Sequence, residues 1–483
     1  MYKRQVPAGS GAAAVEVKVP RRILDLVQVH VRGRRLIPVA QLNTLRAVVD
    51  LLDSQGRPLA ELADDQVAAM AVGRRAESRV QHWREWELEI VDADLLDTAL
   101  APQEVAAGVE TTQEVVESSA QPQGRPDRDV QDAVTGTVRF LDAVGSVLEG
   151  AGATPSSSGS KLEKVLGPVD DPLDPAGAQE PTGLQDVLTR TVRTQVRMLK
   201  GWDPLVRRDV EDSIHQFRVV SRTLRSLLQT YRPLLEDEAT AGVTQALKTL
   251  GRLLSAARDA EVVRDQVQER VEALPGGPDG PVASRVGGRV VKRLRRAKAD
   301  EFQAAHDHLL EQMRRSEYFE VLDLIDAYAR AVPLADGTEP DRPARDALEP
   351  LAAQQIESVL ELARTAAAEE DPEERIELMH EVRKEAKRLR YAVTAVRDAA
   401  GLEWGEELVV RMKTAKKLQE ALGTHRDSVM FQEHVATTAE RAAARGEDTF
   451  GYGVLYAAEL PVQRRAERTA EKLLARLAGT SED

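Results

Sequence analysis

Between residues 12 and 95 apolar and polar positions alternate over short runs, as in Val15/Val17/Val19 and Trp86/Leu88/Ile90, punctuated by Gly33, Gly56 and Pro58. A period of two predicts strands. Residues 101–132 hold Glu, Gln, Ser, Thr and Pro with few bulky apolar side chains, which predicts a disordered or loosely helical insertion. Helical spacing returns over 133–150 through Val134, Val138, Leu141, Val144 and Leu148. Glycine breaks, a serine triplet and Pro168, Pro172, Pro175 and Pro181 then mark a linker, placed at 167–182. After Gly183 the pattern is helical nearly to the end, broken at 275–281, 333–343 and 401–405. Alanine and arginine dominate there and aromatics are sparse, so bundles of helices are expected.

Within this helical stretch a single motif occurs twice. His215, Arg218, Arg222 and Arg225 form the first copy, and His380, Arg383, Lys387 and Arg390 the second. At 100° per residue these offsets fall within an arc of roughly 80°, so each set is one cationic stripe. Each stripe lies one residue on from an apolar row: Ile214, Phe217, Leu224, Leu228 and Tyr231, then Met379, Val382, Leu389, Val393 and Val396. Equal register against the buried face marks an internal repeat and weighs against an incidental solvated face. Roughly forty residues after each histidine comes an Arg-Asp pair, Arg258-Asp259 and Arg426-Asp427, whose carboxylate suits the orientation of a guanidinium. Lys413, Lys416 and Lys417 mirror Lys248 and Arg252 just upstream of those pairs. The run Arg289, Lys292, Arg293, Arg296 reads either as a third wall of the basic site or as an exposed face. Each histidine either bonds to phosphate or caps the apolar seam; a metal role is disfavoured because no second ligand follows at i+3 or i+4.

The repeated H-x2-R-x3-R/K-x2-R followed by a helix ending in Arg-Asp closely resembles the CHAD domain, the conserved histidine α-helical domain, over roughly residues 183–478. The resemblance implies an all-α domain of two four-helix bundles around a basic surface that binds inorganic polyphosphate. Leu36-Ile37-Pro38-Val39-Ala40, Asp53-x2-Gly56, Leu59 to Asp65 and Trp83 to Glu89, with Ser160-Lys161-Leu162, resemble the later portion of a CYTH domain, the fold of triphosphate tunnel enzymes. The opening E-x-E-x-K strand of that family is not matched, so residues 1–166 are expected to be a CYTH-like domain lacking roughly its first third. The fold class that follows is α+β multidomain, a partial antiparallel β tunnel ahead of the helical domain. By that resemblance Glu85, Glu87 and Glu89, alternating on one strand and so sharing a face, are metal ligands for Mg²⁺, and Arg46 and Lys161 grip triphosphate. Their bland reading is an exposed polar strand face. With opening strands missing, Mg²⁺-dependent hydrolysis is expected to be undetectable, and Mg²⁺ is a cofactor only if the tunnel works.

Composition refines this picture. The 483 residues contain no cysteine, which excludes disulfides and thiolate chemistry and agrees with a cytoplasmic location. No apolar run nears the ~18 residues that span a membrane. A net charge of -14 argues against a polyanion ligand on its face, but the charge is segregated. From His215 to Leu235 there are four arginines and no acid, and from Arg285 to Ala299 seven Lys or Arg and no acid. Inorganic polyphosphate, alone or in granules, is the expected partner. Nucleic acid is disfavoured because the clusters offer almost no aromatic beyond Tyr231 and Tyr391 on which bases would stack; backbone-only binding remains an alternative, as does a triphosphatase.

Overall fold

A computed structural model describes residues 19–53, 55–72, 80–91, 128–167, 173, 181 and 183–477. The chain divides into two compact units: Leu36–Asp170, and the helical remainder, to which Met1–Arg35 belongs. Of the insertion expected at 101–132, residues 101–127 lie outside the described residues and 128–132 open a helix; most of the linker, and Val15 and Val17, also lie outside.

The smaller unit is built on an antiparallel sheet of β1 (Ala40–Leu52), β2 (Pro58–Ala71) and β3 (Val80–Ile90), in that order. The β1–β2 turn closes where Asp53 Oδ1 accepts from the backbone N–H groups of Gln55 and Arg57, both at 2.8 Å, and Gly56 takes a φ of 77° that other residues rarely adopt. The register aligns Arg46 with Asp65 and Asp65 with Glu85, placing three charged residues in one row across the sheet. Two helices follow, α2 (Arg128–Gly150) and α3 (Lys161–Leu166). Val165 of α3 packs with Val67 and Ala69 of β2, a small core edged by Leu42 and Trp83.

The sequence reading of strands from residue 12 needs one correction. Arg21–Val31 is a helix, α1, and it packs in the helical unit. Ile23, Leu26, Val27 and His30 fall at i, i+3, i+4 and i+7, and Pro20 sets the helix start, so the local spacing is 3.6 rather than 2. Arg32, its side chain 7% exposed, ends α1 in a left-handed conformation and pairs with Asp323 and Asp326, while Asp25 pairs with Arg314 at 2.9 Å.

The helical unit continues with α4 (Leu184–Arg207), α5 (Ser213–Thr230), α6 (Asp237–Glu272), α7 (Pro281–Val286), α8 (Gly288–Gln312), α9 (Ser316–Arg330), α10 (Ala344–Ala368), α11 (Pro372–Ala400), α12 (Glu406–Ala443) and α13 (Phe450–Leu477). Helix α5 packs on α4, α6 and α11; α11 packs on α10 and α12; α13 lies along α12, and α8 along α6. The apolar row that borders each stripe is buried: Ile214, Phe217, Leu224 and Leu228 at 0–1% exposure, Val382 and Leu389 at 0%. One core joins α4, α5, α6, α9 and the far half of α11, and others join α10–α13. A buried network ties α4 to α9, with Arg207 and Tyr318 both donating to Asp203 at 2.6 Å. Among the described residues no helix is long and apolar enough to cross a membrane.

Candidate functional site

The two stripes come together. Helix α5 carries His215, Arg218, Arg222 and Arg225, helix α11 carries His380, Arg383, Lys387 and Arg390, and the two helices pack side by side. Since each stripe borders the apolar row that anchors its helix in the core, both sit half-buried at the edge of that packing. The charges act across the interface. Burial lowers the pKa of Arg383, and Arg222 of the other copy adds to it. Burial likewise lowers Arg225, helped by Arg222 and then by Arg388 across the interface. Lys387 is pushed down to about 7, by burial first and then by Arg383 and Arg222. Like charges held this close in a partly dry setting disfavour their own ionised forms.

The downstream Arg-Asp pairs take equivalent places in both copies. Asp259 accepts from Arg218 at 3.5 Å, and Asp427 is the favourable charge acting on Arg383 and Lys387. Arg258 is the leading charge beside His215, and Arg426 is one of the cations beside His380. Both histidines are lowered from their ordinary pKa, by burial first and then by cations, Arg258 at His215 and Lys384 ahead of Arg426 at His380, which favours the neutral ring with one N–H to offer.

Stripe cations of both copies stay unmatched, Arg222 and Arg225 making no ion pair among the described residues, but the first copy's downstream arginine is matched. In the first, Arg258 pairs with Glu261 at 2.7 Å and with Asp212 at 3.8 Å. Asp212 reaches it from a tight α4–α5 turn in which Asp209 and Asp212 both have positive φ, a conformation aspartate tolerates better than most. In the second, Arg383, Lys387 and Arg390 make no ion pair among the described residues, and buried Nε donors of Arg383 and Arg390 have no hydrogen-bond partner. The Arg383 guanidinium lies against Gly423, within 3.8 Å of where a Cβ would stand, and Arg390 lies 4.6 Å over the Tyr391 ring.

The other basic candidates are less closely tied to the stripes. Lys248 and Arg252 stand exposed on α6, and Lys413, Lys417 and Arg426 on α12. Arg289, Arg293 and Arg296 lie on the first half of α8, where Leu294 packs with Phe431, Val435 and Tyr452. Arg293 pairs with Glu447 and Arg296 with Asp300 at 4.0 Å. No described contact brings this run to the stripes. Arg388, which acts on Arg225, has no counterpart in the first copy, where Thr223 holds its offset, so the repeat gave no signal for it.

In the sheet unit the expected metal and triphosphate residues neutralise one another. Asp65, Glu85 and Glu87 bring carboxylate oxygens within 4.8 Å of one another. Arg46 donates to both oxygens of Asp65, at 2.7 and 2.6 Å, and reaches Glu87. Lys161 lies 2.8 Å from Asp65 and 2.5 Å from Glu85, and also pairs with Glu87. Ser160 places it there by capping α3, its Oγ accepting from the Glu163 N–H at 3.1 Å. The Arg46 hydrogen bonds hold Asp65 down at about 2. Glu89, opposite Glu61 in the register, is exposed and outside the cluster; fully buried Asp65 takes its place. Its alignment with Arg46 needed the strand register, which the sequence does not carry.

Two Mycobacterium tuberculosis proteins, MT2285 of strain CDC 1551 and Rv2226 of strain H37Rv, both named as uncharacterized, are each 32% identical over 467 residues, 95% of this chain and 79% of theirs. Among solved structures the chain is similar to PptA from Streptomyces chartreusis, with 19% identity, a TM-score of 0.48, and coverage of 60% of this chain and 99% of that one. It is also similar to the CHAD domain from the plant Ricinus communis, with 18% identity, a TM-score of 0.43, and coverage of 65% and 98%. The CHAD domain family model matches residues 190–436, a span that contains both stripes and both Arg-Asp pairs, and the chain belongs to the CHAD family.

Proposed function

We propose that the helical unit binds inorganic polyphosphate, or a linear polyanion like it, along the seam between α5 and α11. The observation that carries this reading is the meeting of two cationic stripes, 165 positions apart from His215 to His380, with cations of the second copy left unpaired and two buried guanidinium donors unmet. A buried unmatched donor costs free energy that a phosphate oxygen recovers, and Arg meets two such oxygens at once. Neutral His215 and His380 each have a ring N–H to add. On this reading α4, α5, α6 and α9 form one four-helix bundle and α10 to α13 the other, with the stripes on the helices where the bundles touch.

Titration with long-chain polyphosphate, triphosphate and RNA at two salt concentrations tests it. Polyphosphate should bind best and weaken steeply with salt as phosphate neutralisation releases counterions. Salt-insensitive binding would mean the contact is not with a phosphate chain.

The row Arg46–Asp65–Glu85 supports a second reading, that the smaller unit is CYTH-like and handles triphosphate with Mg²⁺. The oxygen donors suit a hard cation in kind. Lys161 and Arg46, however, already engage the oxygens such an ion would need.

A further inference from the structure

We propose that Lys387, crowded among the arginines of the seam, is a proton switch: it takes up a proton when a polyanion enters, so that binding strengthens as pH falls. The inference rests on the polyanion reading above and adds regulation to that site. Lys387 occupies the position that Arg222 holds in the first copy, seven residues after each histidine. An arginine there stays charged under all ordinary conditions, whereas an amine can let its proton go.

The charges around Lys387 are mostly cationic. Arg383 and Arg390 flank it on α11, Arg222 faces it from α5 beside the neutral His215, and Asp427 of α12 is the one opposing charge among those that act on it most. Glu385, two residues away, is already engaged by Gln355 of α10 and by Arg388. Helices α10 and α4 otherwise meet α11 through apolar side chains, among them Ile356 against Leu389 and Val393. Lys387 makes no ion pair among the described residues and is half-buried, consistent with its pKa falling to about 7. An incoming phosphate chain reverses the sign of the local field and restores the ordinary preference for the ammonium form. Thermodynamic linkage then requires that binding and protonation promote each other.

Calorimetric titration of the full chain with long-chain polyphosphate, in two buffers of different ionisation enthalpy at about pH 8.5, reads this directly. At that pH both histidines are neutral in the free protein, so uptake reports mainly on Lys387. Native protein should take up close to one proton per seam, and affinity should rise roughly tenfold per pH unit on lowering the pH toward about 7.5. Lys387→Arg should bind without that uptake and with a flat pH profile. Binding without proton uptake, or uptake undiminished in Lys387→Arg, overturns the switch and leaves the polyanion reading standing. Failure of both proteins to bind at any pH overturns the polyanion reading and the switch with it. A second measurement needs no ligand: the NMR titration of ¹³C-methylated lysines, with the Lys387 signal assigned by its loss in Lys387→Arg. Its midpoint should lie at least about two pH units below those of exposed lysines, and a midpoint among theirs overturns the switch.

Discussion

Arg222 and Lys387 hold equivalent positions in a duplicated motif, and an amine, unlike a guanidinium, can relieve crowding by releasing its proton. The lysine, with a pKa of about 7 against an ordinary 10.5, opposes folding wherever it must be charged. The unfolded chain binds more protons between these two values, so its contribution rises with pH from about 7 to 10.5 and is least favourable below 7. Lys387→Met keeps the bulk and removes the charge. It should stabilise the unliganded protein at neutral pH by on the order of 1 kcal/mol and lose that advantage near pH 10, while weakening polyphosphate binding; a lower melting temperature at pH 7 would contradict the origin assigned to the shift. Reversing Arg218, Arg222 and Arg225 to Glu should reduce affinity far more than reversing exposed Arg375, compared by the same titration. The sequence revealed the stripes because residue spacing on one helix is a local property. It could not reveal every match: the Arg258–Glu261 pair is local to one helix, but Asp212 reaches Arg258 through the fold.

At the level of elements, the long helices were legible from their 3.6-residue period and Trp83–Ile90 from its alternation. Helix α1 was overlooked although its spacing is helical, because eleven residues give only a weak period next to the alternating runs that follow; the core that takes fully buried Val29 holds it. The link between α4 and α9 also rests on non-local contacts. Asp203→Asn would leave Arg207, 9% exposed, without its counter-charge, at a cost of roughly 3 kcal/mol. Urea denaturation would check this, and a change within experimental error would show that Arg207 finds another partner. In the sheet, Asp65 titrates at about 2, below the ordinary carboxylate value, so its stabilising contribution is present above about pH 4 and is lost as pH falls toward 2. Lys161→Ala should free Glu85 and one oxygen of Glu87, with Arg46 still holding Asp65, and tighten Mg²⁺ binding, measured by calorimetry; tighter binding in the native protein would mean the ammonium does not compete.

For the whole molecule, duplication matters through geometry. A polyanion long enough to touch both stripes binds the second effectively intramolecularly, which commonly raises avidity by ~10²–10⁴. Long polyphosphate should therefore bind much more tightly than triphosphate, and either Arg218/Arg222→Ala or Arg383/Lys387→Ala should remove most of that chain-length advantage. Unchanged affinity for long chains with half the sites would mean that the stripes act separately. The net charge of -14 would have hidden this surface had the acids not been counted by position.

The packing of α5 on α11 sets two rows of like charge side by side, so the contact that builds the seam also pushes its walls apart. Without ligand this helix pair should be the place where the helical unit opens first. Its backbone amides should exchange with deuterium sooner than those of α4, and a bound polyphosphate chain should slow that exchange in both helices together. The ligand would then serve as a fastener, and the seam's looseness when empty would be the cost of its grip when filled.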